Sequence, residues 1–360
     1  MRIILLSLLI MGFVGRDEDW RSGLPNQNRN SGVKTRFKTP AGTNVKLNQP
    51  TPPSARSIPA STLTDSAHAI TTVNAFTLLQ NYLQQLTDSL HAEIGVAWRD
   101  LQTGREFFFN EKKMMHAAST MKVPVLIEVF RQAERGGAPK FRLDDSVLIK
   151  NEFKSIVDGS PYSLDLSDDS DTTVYRALGA KMTIRQLVES MITVSSNLAT
   201  NILIELVGAE NVMTTLRELG VKNMQVRRGV EDTKAYQRGL NNQTDAFDMM
   251  LTLQAIAEKR AASATACDTM LAILQRQKFR EGIPAGLPAG TVVANKTGWI
   301  TGITHDAAIV FPENQVSADK PRQPYVLVIL TKGMQEEKSA NRVMAEISRK
   351  IYSALRSAKL

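Results

Sequence analysis

A serine and a lysine three positions apart, at the start of a predicted helix, could carry out nucleophilic chemistry. Ser119 and Lys122 stand at the start of a run with helical apolar spacing, so their side chains share one face of the predicted helix. A serine hydroxyl is a weak nucleophile until a neighbouring base takes its proton, and a lysine whose pKa is lowered by burial can be that base. The pair suggests acyl transfer, although a helix N-cap also explains a serine here.

Two further polar motifs follow along the chain. Ser195 and Asn197 fall in a predicted loop between helices, where a hydroxyl can relay a proton and an amide can hold a substrate amide; N-capping is the alternative explanation. Lys296, Thr297 and Gly298 follow a predicted strand. There a cation and a hydroxyl could bind a substrate carboxylate, and the glycine would allow a ligand to approach the backbone closely. A turn after a strand is the alternative for this triplet.

Hydrophobic periodicity predicts the elements that position these motifs. Strands are predicted at residues 94–98, 106–109, 291–294, 307–311 and 325–330, and helices at 75–90 and 336–355. The middle of the chain, from 119 to about 277, reads as helical and includes a capping box at Thr183–Gln186. We therefore predict an α+β fold. One antiparallel sheet is flanked by the N- and C-terminal helices, and an all-helical second lobe leaves a cleft between the two lobes.

Composition divides the chain into three parts. Residues 1–15 read as a signal peptide or anchor, because a twelve-residue apolar run follows Arg2 and is too short to span a membrane. Residues 16–70 read as a disordered linker. Residues 71–360 form the predicted catalytic domain, with an α/β lobe at about 71–118 and 285–360 and a helical lobe at about 119–284. We expect a secreted or periplasmic protein.

Charge and metal-binding residues exclude several classes of function. The net charge of +8 comes from scattered Lys and Arg residues, without a basic stripe or a nucleic-acid motif. The only cysteine, Cys267, cannot form an intrachain disulfide, and the four histidines show no ligand spacing. We expect no metal, no cofactor, no nucleic acid and no stable protein partner, and we expect a monomer.

The order Ser-x-x-Lys, Ser-x-Asn, Lys-Thr-Gly resembles the signature of class A serine β-lactamases and their penicillin-recognising relatives. The resemblance extends over roughly residues 73–358 and implies a small-molecule β-lactam substrate. It implies that Ser119 attacks the lactam carbonyl, that Lys122 activates Ser119 directly or through a water, and that Ser195 passes a proton to the departing nitrogen.

The resemblance also implies how the substrate is held. Asn197 would bind the substrate amide, while Lys296 and Thr297 would bind its carboxylate beside Gly298. The backbone N–H groups of Ser119 and Trp299 would form the oxyanion hole.

Hydrolysis of the acyl-enzyme requires one more group. In class A enzymes it is a glutamate on a loop after the second motif, and the family's spacing from Ser195 leads to Glu231. Glu231 is our candidate base for the deacylating water. A surface acid paired with Arg227 or Arg228 is the alternative interpretation.

Departures from the family pattern keep alternative functions open. Ala235 stands where the family usually has Asn, Ser196 where Asp is frequent, and His305 where many relatives carry Arg. His305 and Arg238 are basic residues that could replace that Arg in carboxylate binding, but we assign the role to neither. Residues 151–175 read as an acidic insertion near the mouth of the cleft. The alternatives are a D,D-peptidase or penicillin-binding protein acting on cell-wall peptides, a non-turnover penicillin sensor, and an esterase with the same Ser–Lys pair.

Overall fold

The computed structural model describes residues 60–136, 139–312 and 324–357. Its strands are β1 (Glu93–Asp100), β2 (Glu106–Phe109), β3 (Met115–His116), β4 (Ser146–Leu148), β5 (Phe153–Lys154), β6 (Pro161–Tyr162), β7 (Lys181–Thr183), β8 (Gln243–Thr244), β9 (Val292–Ile300), β10 (Ile303–Phe311) and β11 (Tyr325–Lys332). Its α-helices are α1 (Ala60–Leu90), α2 (Lys122–Glu134), α3 (Thr173–Arg176), α4 (Ile184–Thr193), α5 (Asn197–Val207), α6 (Ala209–Glu218), α7 (Thr233–Gln237), α8 (Ala246–Ala257), α9 (Ala264–Gln275) and α10 (Glu337–Ser357). Short 3₁₀ helices cover Ala118–Met121, Leu166–Asp168 and Ile283–Gly286.

One five-stranded antiparallel sheet joins the two ends of the domain, in the order β2-β1-β11-β10-β9. Both faces are buried, as β11 illustrates. Val326 and Val328 point into one hydrophobic cluster, while Leu327 and Ile329 point into a second. This alternation follows from the two-residue period of a strand, so both faces are specified by a single register.

The two hydrophobic clusters correspond to the two layers of the fold. The outer cluster packs α1 and α10 against the sheet and includes Leu83, Trp98 and Ile347. The inner cluster extends from the other face of the sheet through α8 into the helical lobe, where α2 contributes Leu126. The predicted α+β architecture with a second helical lobe is confirmed.

Three sequence predictions need correction. The helix that was predicted from residue 75 begins at Ala60, within the predicted linker, because helix propagation adds one hydrogen bond per residue once a helix exists. The predicted all-helical middle contains short strand pairs, such as β4 with β7. The strand predicted to end at residue 294 continues to Ile300, since β10 supplies hydrogen-bonding partners along its whole length.

Other local predictions are confirmed. The strand at Glu106–Phe109 has the predicted bounds, and Thr183 and Gln186 form the capping box of α4. Cys267 is fully buried in the inner cluster. The predicted signal segment, and the predicted linker as far as residue 59, lie outside the described residues. Within the described residues, none of the helices combines the length and apolar character needed to cross a membrane.

Candidate active site

Ser119 lies at a strained turn that leads into the central helix α2. The preceding residue, Ala118, has a φ of 45°, a left-handed conformation that is uncommon outside glycine. Its N–H donates to Nδ1 of His116 at a distance of 3.0 Å, and this hydrogen bond fixes the turn. Neither the 3₁₀ helix here nor α2 has a side-chain N-cap. The hydroxyl of Ser119 is therefore not used as a cap, and the capping explanation for this residue is wrong.

Lys122 brings the first and second motifs together. Its fully buried ammonium donates to Ser195 O at 2.6 Å, to Ser195 Oγ at 3.2 Å and to Asn197 Oδ1 at 2.9 Å. Burial disfavours the charged form and lowers the pKa of Lys122 to about 7, against the opposing charges of Asp169 and Glu231. A large share of the molecules therefore carries this lysine as a neutral amine near neutral pH.

Lys296 brings the third motif to the same serine. Its buried ammonium donates to Ser195 Oγ at 2.9 Å and to Thr297 O at 2.8 Å. Burial, and then the charge of Lys122, hold the pKa of Lys296 well below its usual value. The Ser195 oxygen accepts from both lysines, which uses its two lone pairs and leaves its proton free to be donated to a third group.

Gly298 places β9 directly against the backbone of the nucleophile. A Cβ added at Gly298 would lie 2.9 Å from Ser119 N and 3.0 Å from Thr120 N. Only glycine allows this approach, because real Cβ atoms do not come so close to backbone nitrogens. The sequence predicted that Gly298 would let a ligand approach closely. In the structure the backbone of the Ser119 turn makes this close approach, and Trp299 therefore lies next to the turn.

Glu231 joins the same hydrogen-bond chain through Asn197. Asn197 Nδ2 donates to Glu231 Oε1 at 2.7 Å, while its Oδ1 accepts from Lys122. Burial raises the pKa of Glu231 although the Asn197 bond opposes this, and the nearby charge of Asp168 adds to the rise. Glu231 also has a φ of 62°, a backbone conformation that marks strained positions in functional sites.

The alternative interpretation of Glu231 as a surface acid paired with an arginine is wrong. The guanidinium of Arg228 donates to Leu240 O, Gly229 O and Asn241 Oδ1 instead. No ion pair joins Glu231 to Arg227 or Arg228 among the residues that the structure describes.

Residues 167–170, which belong to the predicted acidic insertion at 151–175, line the cleft. Asp169 Oδ2 accepts hydrogen bonds from the N–H groups of Asn197 and Leu198, both at 2.9 Å, and from Ser196 Oγ at 3.2 Å. Ser196 also caps α5 by accepting from the Ala199 N–H. Capping thus explains the middle residue of the second motif but not Ser195. Sequence reasoning missed Asp169; its only signal was the acidic run that it shares with Asp168.

Neither His305 nor Arg238 lines the cleft, so neither replaces the carboxylate-binding arginine of many relatives. His305 is buried, with Nδ1 accepting from Thr331 N at 3.2 Å and Nε2 donating to His116 O at 2.9 Å. Arg238 is exposed at the end of α7 and does not line the cleft. Ala235, which stands where the family usually has Asn, is fully buried in α7.

Two cavities meet at Ser119. The larger, of about 650 Å³, extends past Ser195 and Thr297, and the smaller, of about 350 Å³, extends past His116 and Tyr236. Both are lined by Ser119, Asn197, Glu231 and Trp299. The site is therefore an open cleft in which a nucleophile, a buried amine and a carboxyl group face the same space.

The sequence profile described as the β-lactamase enzyme family matches residues 78–355. The chain belongs to this family. The β-lactamase fold of the two lobes is that of class A enzymes, since an ancestral class A β-lactamase superposes with a TM-score of 0.63 at 23% identity over 77% of this chain and 99% of that one.

Two further proteins are similar to this chain. The β-lactamase AST-1 of Nocardia asteroides is 30% identical over 179 residues, which are 48% of this chain and 56% of that enzyme. The structure of PBP-A is similar with a TM-score of 0.64 at 25% identity, over 79% of this chain and 97% of that one.

Proposed function

We propose that the protein is a serine β-lactamase of the class A type that opens the lactam ring through an acyl-enzyme on Ser119. One observation carries the proposal: the Asn197 side chain connects the buried amine of Lys122 to the carboxyl group of Glu231 at a cleft lined by Ser119. One basic group is thus available for each half of a two-step hydrolysis.

In the first step, Ser119 Oγ attacks the lactam carbonyl. The neutral amine of Lys122 accepts the serine proton, directly or through a water. The backbone N–H groups of Ser119 and Trp299 stabilise the oxyanion, which β9 favours by packing against the Ser119 turn. The carbon–nitrogen bond then breaks, Ser195 donates its proton to the departing nitrogen, and the neighbouring lysines replace that proton.

In the second step, a water molecule attacks the ester carbonyl. Glu231 takes a proton from the water, the bond to Ser119 Oγ breaks, and this proton passes back to Ser119 Oγ, which restores both groups. The raised pKa of Glu231 supports this role, since a general base works best when its pKa lies near the working pH.

Lys296 and Thr297 would hold the carboxylate of the substrate beside Gly298. Their position next to Ser195 supports this role, because the substrate carboxylate would face a buried cation. A structure of a PBP-A variant is an acyl-enzyme complex with penicillin G, which supports a penicillin as an acylating substrate.

A D,D-peptidase or penicillin-binding protein of the same fold is the second candidate. Ala235 favours it, because a buried methyl group at this position cannot help Glu231 to hold a deacylating water. Such a protein would form the same adduct and release it slowly.

A chromogenic cephalosporin distinguishes the two candidates when colour and protein mass are followed together. We expect many turnovers per protein molecule for the natural chain. We expect Glu231→Gln to form the adduct at a similar rate and to release it about 10² to 10⁴ times more slowly, the usual contribution of a general base. Ser119→Ala is the control and should form no adduct.

Two other results of this experiment would contradict parts of the proposal. A single stoichiometric burst with the natural chain would establish the penicillin-binding alternative. Unchanged turnover by Glu231→Gln would place the deacylating base elsewhere, with Asp232 the next residue to test.

A further inference from the structure

Three exposed carboxylates face the larger cavity without a cationic partner. Asp168, Glu281 and Glu337 all line this space, and none forms an ion pair within residues 60–136, 139–312 and 324–357. Acidic residues elsewhere on the described surface commonly do, as Asp158 does with Lys234 and Glu189 with Arg276. The net charge of the chain is +8, so this acidic surface runs against the overall charge.

These carboxylates come from different parts of the fold but line the same larger cavity. Asp168 belongs to the insertion beside the helical lobe, and its charge contributes to the raised pKa of Glu231. Glu281 lies just before the 3₁₀ helix Ile283–Gly286, and Glu337 begins α10. Both therefore belong to the sheet side of the cleft, as Thr297 does. A cleft lined by one sign of charge attracts ligands of the opposite sign.

A buried hydroxyl in the same cavity lacks a partner. Thr304 is only 4% exposed and lines the larger cavity, yet its Oγ1 forms no hydrogen bond in the structure. It pairs with Trp299 across β9 and β10. A buried polar atom without a partner is costly, so a ligand group that reaches this hydroxyl would be favoured.

We propose that Asp168, Glu281, Glu337 and Thr304 form a subsite for a zwitterionic part of the substrate, in which a positive charge lies next to the carboxylate. The inference rests on the proposed function, because it takes the ring carboxylate to lie at Lys296 and Thr297. Thr304 then donates to that carboxylate, and the three acidic side chains face the neighbouring cation. The favoured class is β-lactams with a fixed positive charge on the substituent beside the ring carboxylate.

Two cephalosporins with one acyl side chain and different 3′ groups test this subsite. One carries a neutral acetoxymethyl group and the other a pyridiniomethyl group. The quantity measured is the second-order rate constant for acylation of the full chain, and the result is the ratio of the cationic to the neutral compound. Comparing this ratio between protein variants removes the difference in intrinsic reactivity of the two compounds.

We expect the ratio to fall about three- to tenfold in Glu281→Gln/Glu337→Gln, with acylation by the neutral compound nearly unchanged. The control, Glu111→Gln/Glu152→Gln, removes the same charge from residues that line neither cavity and should keep the natural ratio. Salt should lower the natural ratio as well, because the screening length shrinks from about 30 Å at 0.01 M to about 3 Å at 1 M.

The binding affinity of Ser119→Ala for the same two compounds, measured by calorimetry, separates this inference from the proposed function. If the natural chain forms no adduct, the proposed function fails, and the ratio of dissociation constants still tests the subsite. An equal ratio in the cleft variant and the control variant, or no binding of either compound, would overturn the inference.

Discussion

At the scale of single residues, the burial of two lysines around one serine hydroxyl determines the chemistry. Lys122 and Lys296 both donate to Ser195 Oγ. Two full charges in such an environment would be costly, and each lysine relieves the cost by a lower pKa. The neutral form of Lys122 is thereby populated near neutral pH, and this is the form that can accept the Ser119 proton.

The pH dependence of acylation tests this role of Lys122. We expect the single-turnover acylation rate to rise with pH through a midpoint near 7, the approximate pKa of Lys122. Below the midpoint the neutral fraction, and with it the rate, should fall about tenfold per pH unit. Stopped-flow mixing with a chromogenic substrate at pH 5 to 9 gives the profile.

Lys122→Ala is the matched variant for this profile. It should be slower by at least about a hundredfold, the usual contribution of one general base, and should lose the midpoint. A midpoint that persists in the variant would mean that another group accepts the serine proton.

At the scale of elements, the edge strand β9 and the turn before α2 form one unit. Gly298 packs on the backbone nitrogens of Ser119 and Thr120. His116, which precedes the turn in the chain, also holds it by accepting the Ala118 N–H. The insertion plays a similar part for α5, where Asp169 accepts both N–H groups at the start of the helix. Each functional side chain is thus fixed by a contact from a different element.

Gly298→Ala should separate the nucleophile from β9. The added Cβ would lie within 3.0 Å of two backbone nitrogens, so one element must move. We expect acylation to slow by at least tenfold and stability to fall by about 1 to 3 kcal/mol, as in other overpacked sites. Penicillin labelling and urea unfolding measure the two effects.

Gly136→Ala is the control for this substitution, because a Cβ there meets nothing within 4 Å. It should leave acylation and stability nearly unchanged. Normal acylation by Gly298→Ala would show that contact between β9 and the Ser119 turn is not required for catalysis.

At the scale of the whole molecule, His305 connects the sheet to the segment before the nucleophile. Its ring accepts from Thr331 in β11 and donates to the carbonyl of His116 in β3, which requires a neutral ring with the proton on Nε2. Burial is the main cause that lowers the pKa of His305 to about 4 from its usual 6.5.

This histidine predicts a loss of stability in acid. The folded pKa is lower than the unfolded one, so the unfolded chain binds more protons between pH 6.5 and 4. The contribution is therefore complete above about pH 6.5 and is lost as the pH falls towards 4, by about 3 kcal/mol in total. Urea unfolding at a series of pH values and NMR of the imidazole nitrogens measure it. A ring that titrates near 6.5 in the folded protein would contradict the prediction.

The sequence by itself determined the lobes, the β2 bounds, the α4 capping box and the order of the three motifs. These features depend on periodicity and on capping contacts between near neighbours, which a local reading of the chain contains. The extension of β9 through Lys296 and Gly298 is an exception, because it depends on pairing with β10.

Only the tertiary structure decided how the motifs act together. Lys122 and Lys296 reach Ser195 across 73 and 101 residues of sequence. Asn197 donates a hydrogen bond to Glu231, and Asp169 accepts one from the first N–H of α5. Hydrophobic periodicity in the sequence predicts neither contact. The physical reason is that hydrogen-bond partners and pKa shifts depend on burial and distance in space, whereas sequence spacing reports only which residues can share an element.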